Sequence, residues 1–385
     1  MTSGLNPDAL ANVRAVIAEL GLDALAASSP ENFTYVTGAH VPTARLLPTR
    51  HGFAVTTAAG KQFLVVINLE RNLLSAETPI GDIRTYVEFA DEPVERFAEE
   101  LQQEGLERGR IGLDLQYLPA AAFMLLQRAL PAAEFVDTTT ILGAYRAHKS
   151  EAEVAALEKA TKGTHRAVLD AMAAARIGES EKVMSDRIAA NMFRYGADGT
   201  AFMCFGSGRY THLFHAPAFD WVHVSEGDVV RFDVGGQYGA WSSDFARTYS
   251  AGNPTALQKQ TYAALIDIET ATIDIIRPGI RAEDVFFFCR DQFKAHGLQF
   301  YMPHVGHSFG LELHESPMLR AGEKTVLQPG MVFNIEPSTF DEHRVAYHTE
   351  DLLVVTETGY RLLTLGLAPR DMPVIGQTIA YPESR

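Results

Sequence analysis

Apolar residues at Leu10, Val13, Val16, Ile17 and Leu20 recur at the three-and-four spacing of a helix with one buried face; Gly21 closes it, and Asn6 and Pro7 supply a cap and a first-turn proline. A strand is predicted next, over 22–26. Apolar runs at 52–55, 63–67 and 111–115 alternate with helical patterns such as 93–104, which predicts an α/β domain ending near residue 145. After the polar stretch 146–150 the pattern becomes one long helix over 149–175, with Val154, Leu157, Val168, Leu169 and Met172 inward. The boundary falls here, giving an N-terminal domain 1–148 and a second domain 149–385. In the second, helices are predicted at about 180–194, 256–276 and 281–296, and strands at 228–235, 242–249, 331–336 and 347–356. Helices around a mostly antiparallel sheet make an α+β domain.

The alternation carries an anomaly. In RFDVGGQYGAWSSDFARTYS, residues 231–250, each of two short strands holds one aspartate. Asp233 and Asp244 are symmetric about Tyr238-Gly239, so a hairpin centred there sets them opposite each other with Cβ atoms about 5 Å apart. Two ionised carboxylates so placed repel unless a cation or a shared proton lies between them.

Three other stretches share the oddity: PHVGHSFGLELHESP (303–317) with His304, His307 and His314; PGMVFNIEPS (329–338) with Glu336 at the end of an apolar run; and AYHTEDLLVVTETG (346–359) with Glu350 and Asp351 before another. Taken singly, such a histidine is a hydrogen-bonded loop residue and such a glutamate a solvated strand end. Taken together, two aspartates, a histidine and two glutamates on the strands of one domain are what an oxygen-rich dinuclear metal site needs, two ions about 3.5 to 4 Å apart sharing bridging carboxylates.

Composition narrows the partners. Lys and Arg number 33 against 48 Asp and Glu, and the net charge of −15 disfavours nucleic acid or an anionic membrane surface. The two cysteines, Cys204 and Cys289, make neither a disulfide framework nor a thiolate zinc site, which points to a reducing compartment. The sequence shows no basic start followed by an apolar run and no apolar stretch of 18 residues, so the expectation is a soluble, cytoplasmic protein.

Asp233 and Asp244 with ten residues between them, GHSFGLELHE from Gly306, PGMVFNIEP from Pro329 and TEDLLVVTETG from Thr349 resemble, in order and spacing, the pita-bread (M24) metallopeptidases: Xaa-Pro dipeptidase, aminopeptidase P and methionine aminopeptidase. ENFTYVTG at 31–38 and YRAHKSEAEVAAL at 145–157 are similar to the N-terminal domain and linker of the prolidase and creatinase branch, so the resemblance covers nearly the whole chain. It implies a pita-bread catalytic domain after a smaller α/β domain, and makes Asp233, Asp244, His307, Glu336 and Glu350 the metal ligands, with Asp244 and Glu350 bridging. His215, in LFHAPAFD, and His314 match substrate-side histidines of the family, and the resemblance makes His215 a catalytic residue that contacts substrate and transfers protons. The implied reaction is hydrolysis of an Xaa-Pro amide bond in dipeptides or short peptides by a hydroxide bridging the metals, His314 stabilising the oxyanion and Glu336 shuttling the proton. Four carboxylates to one imidazole suit Mn²⁺, with Co²⁺, Fe²⁺ and Zn²⁺ as alternatives.

One departure bears on substrate. Proline-specific members carry Arg two residues before the final glutamate ligand, whereas this chain has His348, which shares a strand face with Glu350 and is read as substrate-facing or as a neighbour of the ligands. A small non-peptide C–N substrate, as in creatinase or ectoine hydrolase, is the alternative; an inactive binding platform ranks below both. The resemblance also implies a homodimer in which the N-terminal domain pairs subunits and covers a neighbour's site. Arg45, Arg50 and His51, on TGAHVPTARLLPTRHG, read as a solvated basic loop.

Overall fold

The protein is described here by a computed structural model covering residues 7–44, 46, 47, 49–379 and 381. It divides into two compact units, Met1–Arg146 and Ala147–Arg385.

In the first unit six strands run in the order Ile83–Tyr86, Gln62–Ile67, Phe53–Thr57, Ala24–Ala27, Arg110–Leu113, Glu134–Asp137. The central pairings are antiparallel and the outer ones parallel. Both faces are covered, which explains why these strands read as unbroken apolar runs. Ala24, Ala26, Val55 and Val65 pack with helix Pro93–Gln103, while Leu25, Ala27, Leu64 and Val66 pack with helix Ala9–Leu20. Ala9–Leu20 ends at Gly21 in the left-handed conformation, as the sequence predicts; the expected cap Asn6 lies outside the described residues. On the basic loop, Arg45 lies outside the described residues, Arg50 is held to Glu88 at 2.6 Å, and His51 is buried rather than solvated.

In the second unit the long helix is Glu151–Ala173, opened by a capping box in which Ser150 and Glu153 satisfy each other's backbone amides. Val154, Leu157, Val168 and Met172 face inward, whereas Leu169 is half-buried. Helix Glu181–Arg194 lies beside it, and together they cover a sheet of Phe245–Ser250, Val229–Tyr238 and Gly199–Ser207, with Trp241–Ser242 paired at its end. Helices Ala256–Asp274 and Ala282–Ala295 cover a second, antiparallel sheet in the order Glu315–Arg320, His304–Ser308, Val332–Ile335, Asp351–Val355, Tyr360–Leu362. Ser338–Phe340 pairs with Ala346–His348. The predicted strand 347–356 is therefore two: Ala346–His348 belongs to the small ribbon, Asp351–Val355 to the larger sheet, and Glu350 stands at the change of partner. No helix among the described residues is long and apolar enough to cross a membrane.

Candidate metal centre

Asp233 projects from Val229–Tyr238, but the hairpin is not centred where its symmetry suggested. Tyr238 pairs with Trp241 and Gln237 with Ser242, so the turn residues are Gly239 and Ala240, and Asp233 is opposite Ala246 rather than Asp244. The cause is Gly239, whose φ of 61° suits the first central position of a two-residue hairpin turn. Displacing a partner by two residues preserves the face, because side chains alternate with period two. Asp244, in the gap between Ser242 and Phe245, therefore still points at Asp233. The gap folds closely over Gly235, where any Cβ would stand 2.3 Å from the Ser243 carbonyl oxygen.

The larger sheet supplies the rest. One oxygen from each of Asp233, Asp244 and Glu350 lies within 4.8 Å of the others, and a second group of the same compactness joins Asp244, His307 and His314. His307 Nε2 stands 3.3 Å from Glu336 Oε1 and 3.8 Å from Asp244 Oδ2. Its Nδ1 donates to the Ser308 carbonyl at 3.0 Å, which leaves the Nε2 lone pair turned toward the carboxylates. Asn334 holds this corner: Oδ1 accepts from His307 N at 2.7 Å, and Nδ2 contacts His307 Nε2 at 2.8 Å and donates to Glu350 Oε1 at 2.9 Å.

A fully buried layer fixes the segment carrying Glu350. Arg247 donates to the Glu350 carbonyl and to Asp351 Oδ1, the latter at 2.6 Å. Thr248 Oγ1 exchanges hydrogen bonds with the His348 backbone at 2.8 and 2.9 Å, and Thr349 Oγ1 donates to Glu269 at 2.8 Å. Lys149 pairs with buried Glu315 at 2.6 Å, tying down the chain next to His314.

The carboxylates themselves are left wanting. Asp233 Oδ1, Glu336 Oε1 and Glu350 Oε2 are buried without a hydrogen-bond partner. Burial, and then the charges of Glu350, Asp233 and Glu336, push the Asp244 carboxyl well above the usual carboxylate range; burial, Asp233 and Glu336 do the same to Glu350. Burial alone raises Glu336 against the pull of His304 and His314. His307 is held well below its ordinary value by burial and by His314, so it presents a neutral imidazole. Converging carboxylates, with Asp233 Oδ1, Glu336 Oε1 and Glu350 Oε2 lacking a donor, and a neutral imidazole are a fit for divalent cations, which would remove the repulsion.

The other predicted residues are less tightly gathered. His314 is exposed, its ring 4.2 Å from that of His307. His348 is buried, 3.7 Å from Glu336 Oε2, and pushed down to about 4 mainly by burial. His215 is exposed on a turn and belongs to neither group of ligand atoms; its neighbour Phe214 meets the His348 ring at 5.9 Å. Sequence reasoning assigned no role to Asn334, to the Arg247–Asp351 pair or to His304, 3.4 Å from Glu336. Asn334 did leave a signal: a polar residue inside an apolar strand, two before Glu336 and so on its face.

Known proteins extend this pattern over both units. Residues 155–357 match the model of metallopeptidase family M24, and residues 10–148 that of the creatinase/prolidase N-terminal domain. The chain is 28% identical over 349 residues to the Xaa-Pro dipeptidase of Pyrococcus horikoshii, covering 89% of this chain and 93% of that one. It is 27% identical over 357 residues to the uncharacterized peptidase YqhT of Bacillus subtilis, covering 92% and 97%. The crystal structure of dipeptidase PepE from Mycobacterium ulcerans superposes with a TM-score of 0.83 at 30% identity, over 95% of this chain and 97% of that one. With more than half its length matched and the donor groups of a metal centre gathered in that half, the chain belongs to metallopeptidase family M24, in its two-domain form with a creatinase/prolidase-type N-terminal domain before a pita-bread domain.

Proposed function

We propose that the protein hydrolyses the Xaa-Pro bond of dipeptides or short peptides, using two divalent cations held by Asp233, Asp244, His307, Glu336 and Glu350. The observation that carries this reading is the convergence of buried carboxylate oxygens that no donor satisfies. The names of the Pyrococcus and Mycobacterium relatives support the substrate class. Bound there, the cations would polarise the substrate carbonyl and bring the pKa of a water toward neutrality. Glu336, whose Oε1 has no partner, takes a proton from the attacking water and passes it to the leaving nitrogen. His314, exposed beside His307, donates to the developing oxyanion. His348 and His215 contact substrate, His215 from the exposed turn that Phe214 anchors.

Mn²⁺ is the proposed metal, because four carboxylates and one imidazole are hard ligands; Co²⁺, Fe²⁺ and Zn²⁺ are the alternatives. Two free cysteines fit a reducing cytoplasm. A homodimer, paired through the N-terminal domain 1–148, is carried over from the two-domain branch and is checked by light scattering. The test of function is proline release from Xaa-Pro dipeptides and Xaa-Pro-Yaa tripeptides by protein stripped with chelator and reloaded with Mn²⁺. Metal-restored cleavage of dipeptides is expected; cleavage of tripeptides alone would move the assignment to an aminopeptidase, and no cleavage by protein holding two metals would point to a small non-peptide amide.

A further inference from the structure

We infer that Arg231 anchors the free carboxylate of the residue that follows the scissile bond, in a pocket that opens beside Tyr301 and Phe340 when the Phe214 ring swings off the guanidinium. This rests on the peptide-hydrolase reading above and sharpens it to dipeptides.

Arg231 lies two residues before Asp233 on one strand, so both project to the same face. Its exposure is 0%, yet its Nε and Nη1 have no hydrogen-bond partner. Among the described residues no carboxylate stands within ion-pair distance of it. Only Nη2 is used, donating to the Phe214 carbonyl at 2.9 Å, and the guanidinium lies under the Phe214 ring, 4.4 Å from its centroid. A buried cation with open donors is costly, and arginine cannot escape the cost by releasing its proton. The missing acceptor is therefore one that arrives. Nε and Nη1 lie on opposite edges of the guanidinium, and each shares its edge with one N–H of Nη2, so a carboxylate meets one of the open donors together with the Nη2 proton beside it.

The surroundings say what carries that carboxylate. The Phe214 ring meets Phe340 at 5.8 Å and His348 at 5.9 Å, and Phe340 meets Tyr301 at 4.8 Å. Tyr301 is fixed by a 3.0 Å hydrogen bond to Ser338, which is registered opposite His348. Phe214 and Phe340 are half-buried and Tyr301 is exposed, so the rings form a wall that is open on one side. A compact apolar residue packs against such a wall. The Phe214 ring covers the guanidinium and sits between exposed Leu213 and His215, so the arriving carboxylate displaces it. In a longer peptide the same group is an uncharged amide, which cannot replace the missing anion.

The test compares an Xaa-Pro dipeptide with its C-terminal amide, both offered to the Mn²⁺-loaded protein. The wild type should favour the acid by about a hundredfold in kcat/KM, chiefly through KM. Arg231→Met should bring the acid down to the level of the amide with metal content unchanged, and Arg231→Lys, which keeps charge without the fork, should retain part of the preference. An arginine that merely props the Phe214 turn would lower both substrates by one factor and leave their ratio intact, which overturns the inference. So does a wild type that cleaves amide and acid equally, a result that needs no folded variant. If the loaded wild type cleaves neither, the hydrolase reading fails, and calorimetry with free proline and prolinamide decides this one separately. Binding of proline but not prolinamide, lost in Arg231→Met, upholds it; equal binding of the two, or none, overturns it.

Discussion

Asp114 and Asp244 are both buried carboxylates, one in each unit, and their surroundings differ in kind. Asp114 is 0% exposed at the end of strand Arg110–Leu113 and accepts three hydrogen bonds: from Ser28 N and Ser29 N at 2.8 Å each and from Asn32 Nδ2 at 2.7 Å. Burial pushes its carboxyl up while the donors pull it down, so the two influences oppose. Around Asp244, burial and three neighbouring carboxylates all act in the same direction. The first acid is completed by its own chain and fastens the segment 28–32; the second waits for something the chain does not contain. Burial does not separate a structural acid from a functional one. Counting donors against acceptors does.

The largest effect should come from neutralising the second acid. Asp244→Asn is expected to abolish turnover and to leave fewer than two metals per chain by elemental analysis; full activity in a variant that holds no metal would falsify the mechanism. In metal-free protein the same substitution should act with the opposite sign on stability. It removes a charge that is buried beside like charges, and should raise the denaturant midpoint by an amount worth about 1 to 2 kcal/mol.

Asp114→Asn should do the reverse. An amide offers one oxygen to a site that uses two, turning its NH₂ group toward either the two backbone amides or Asn32. A loss of about 1 to 3 kcal/mol in denaturant unfolding is expected, with turnover per folded, metal-loaded molecule unchanged. Should both aspartates shift stability in the same direction, the distinction between completed and incomplete acids would be lost.

The same distinction explains how much could be read from sequence. Elements fixed by local rules were legible: Gly21 marks a helix end, and the apolar runs at 52–55 and 63–67 mark a pair of strands. The acidic residues were legible as an anomaly, since no sheet gathers carboxylates without reason. Register was not, because symmetry about Tyr238-Gly239 is a weaker determinant than the left-handed conformation that Gly239 alone accepts. Neither was the division of 347–356, which depends on Ser338–Phe340 and Val332–Ile335 offering two different partners to one apolar run. Arg231 was invisible for another reason. In sequence an arginine beside an aspartate looks paired, and only the structure shows its donors unused.

Asn334 tests the intermediate case, a neutral group that completes two ligands at once. Asn334→Ala removes the contacts to His307 and Glu350 without touching a charge. Metal affinity should fall about 10- to 100-fold, read by competition with a chromophoric chelator, while turnover recovers at saturating Mn²⁺. Failure to recover would mean that Asn334 does more than orient the ligands.

His215 should give the smallest effect. It resembles His314 in sequence terms, both being histidines placed by the same family pattern, but only His314 stands within the groups of ligand atoms. A solvated imidazole on a turn can lend the substrate one hydrogen bond, worth about threefold to tenfold in kcat/KM, and that is the loss expected for His215→Ala at unchanged metal content. A general acid or base contributes about 10² to 10⁴ instead, so a loss of that size would require the turn carrying His215 to fold in over the metals when substrate binds. The turn that carries Phe214, which must move for Arg231 to meet a carboxylate, is the same one. Measuring His215→Ala on both the dipeptide and its amide therefore shows whether one motion serves both residues: a penalty confined to the acid ties His215 to the displaced Phe214, and an equal penalty on both leaves it an independent contact.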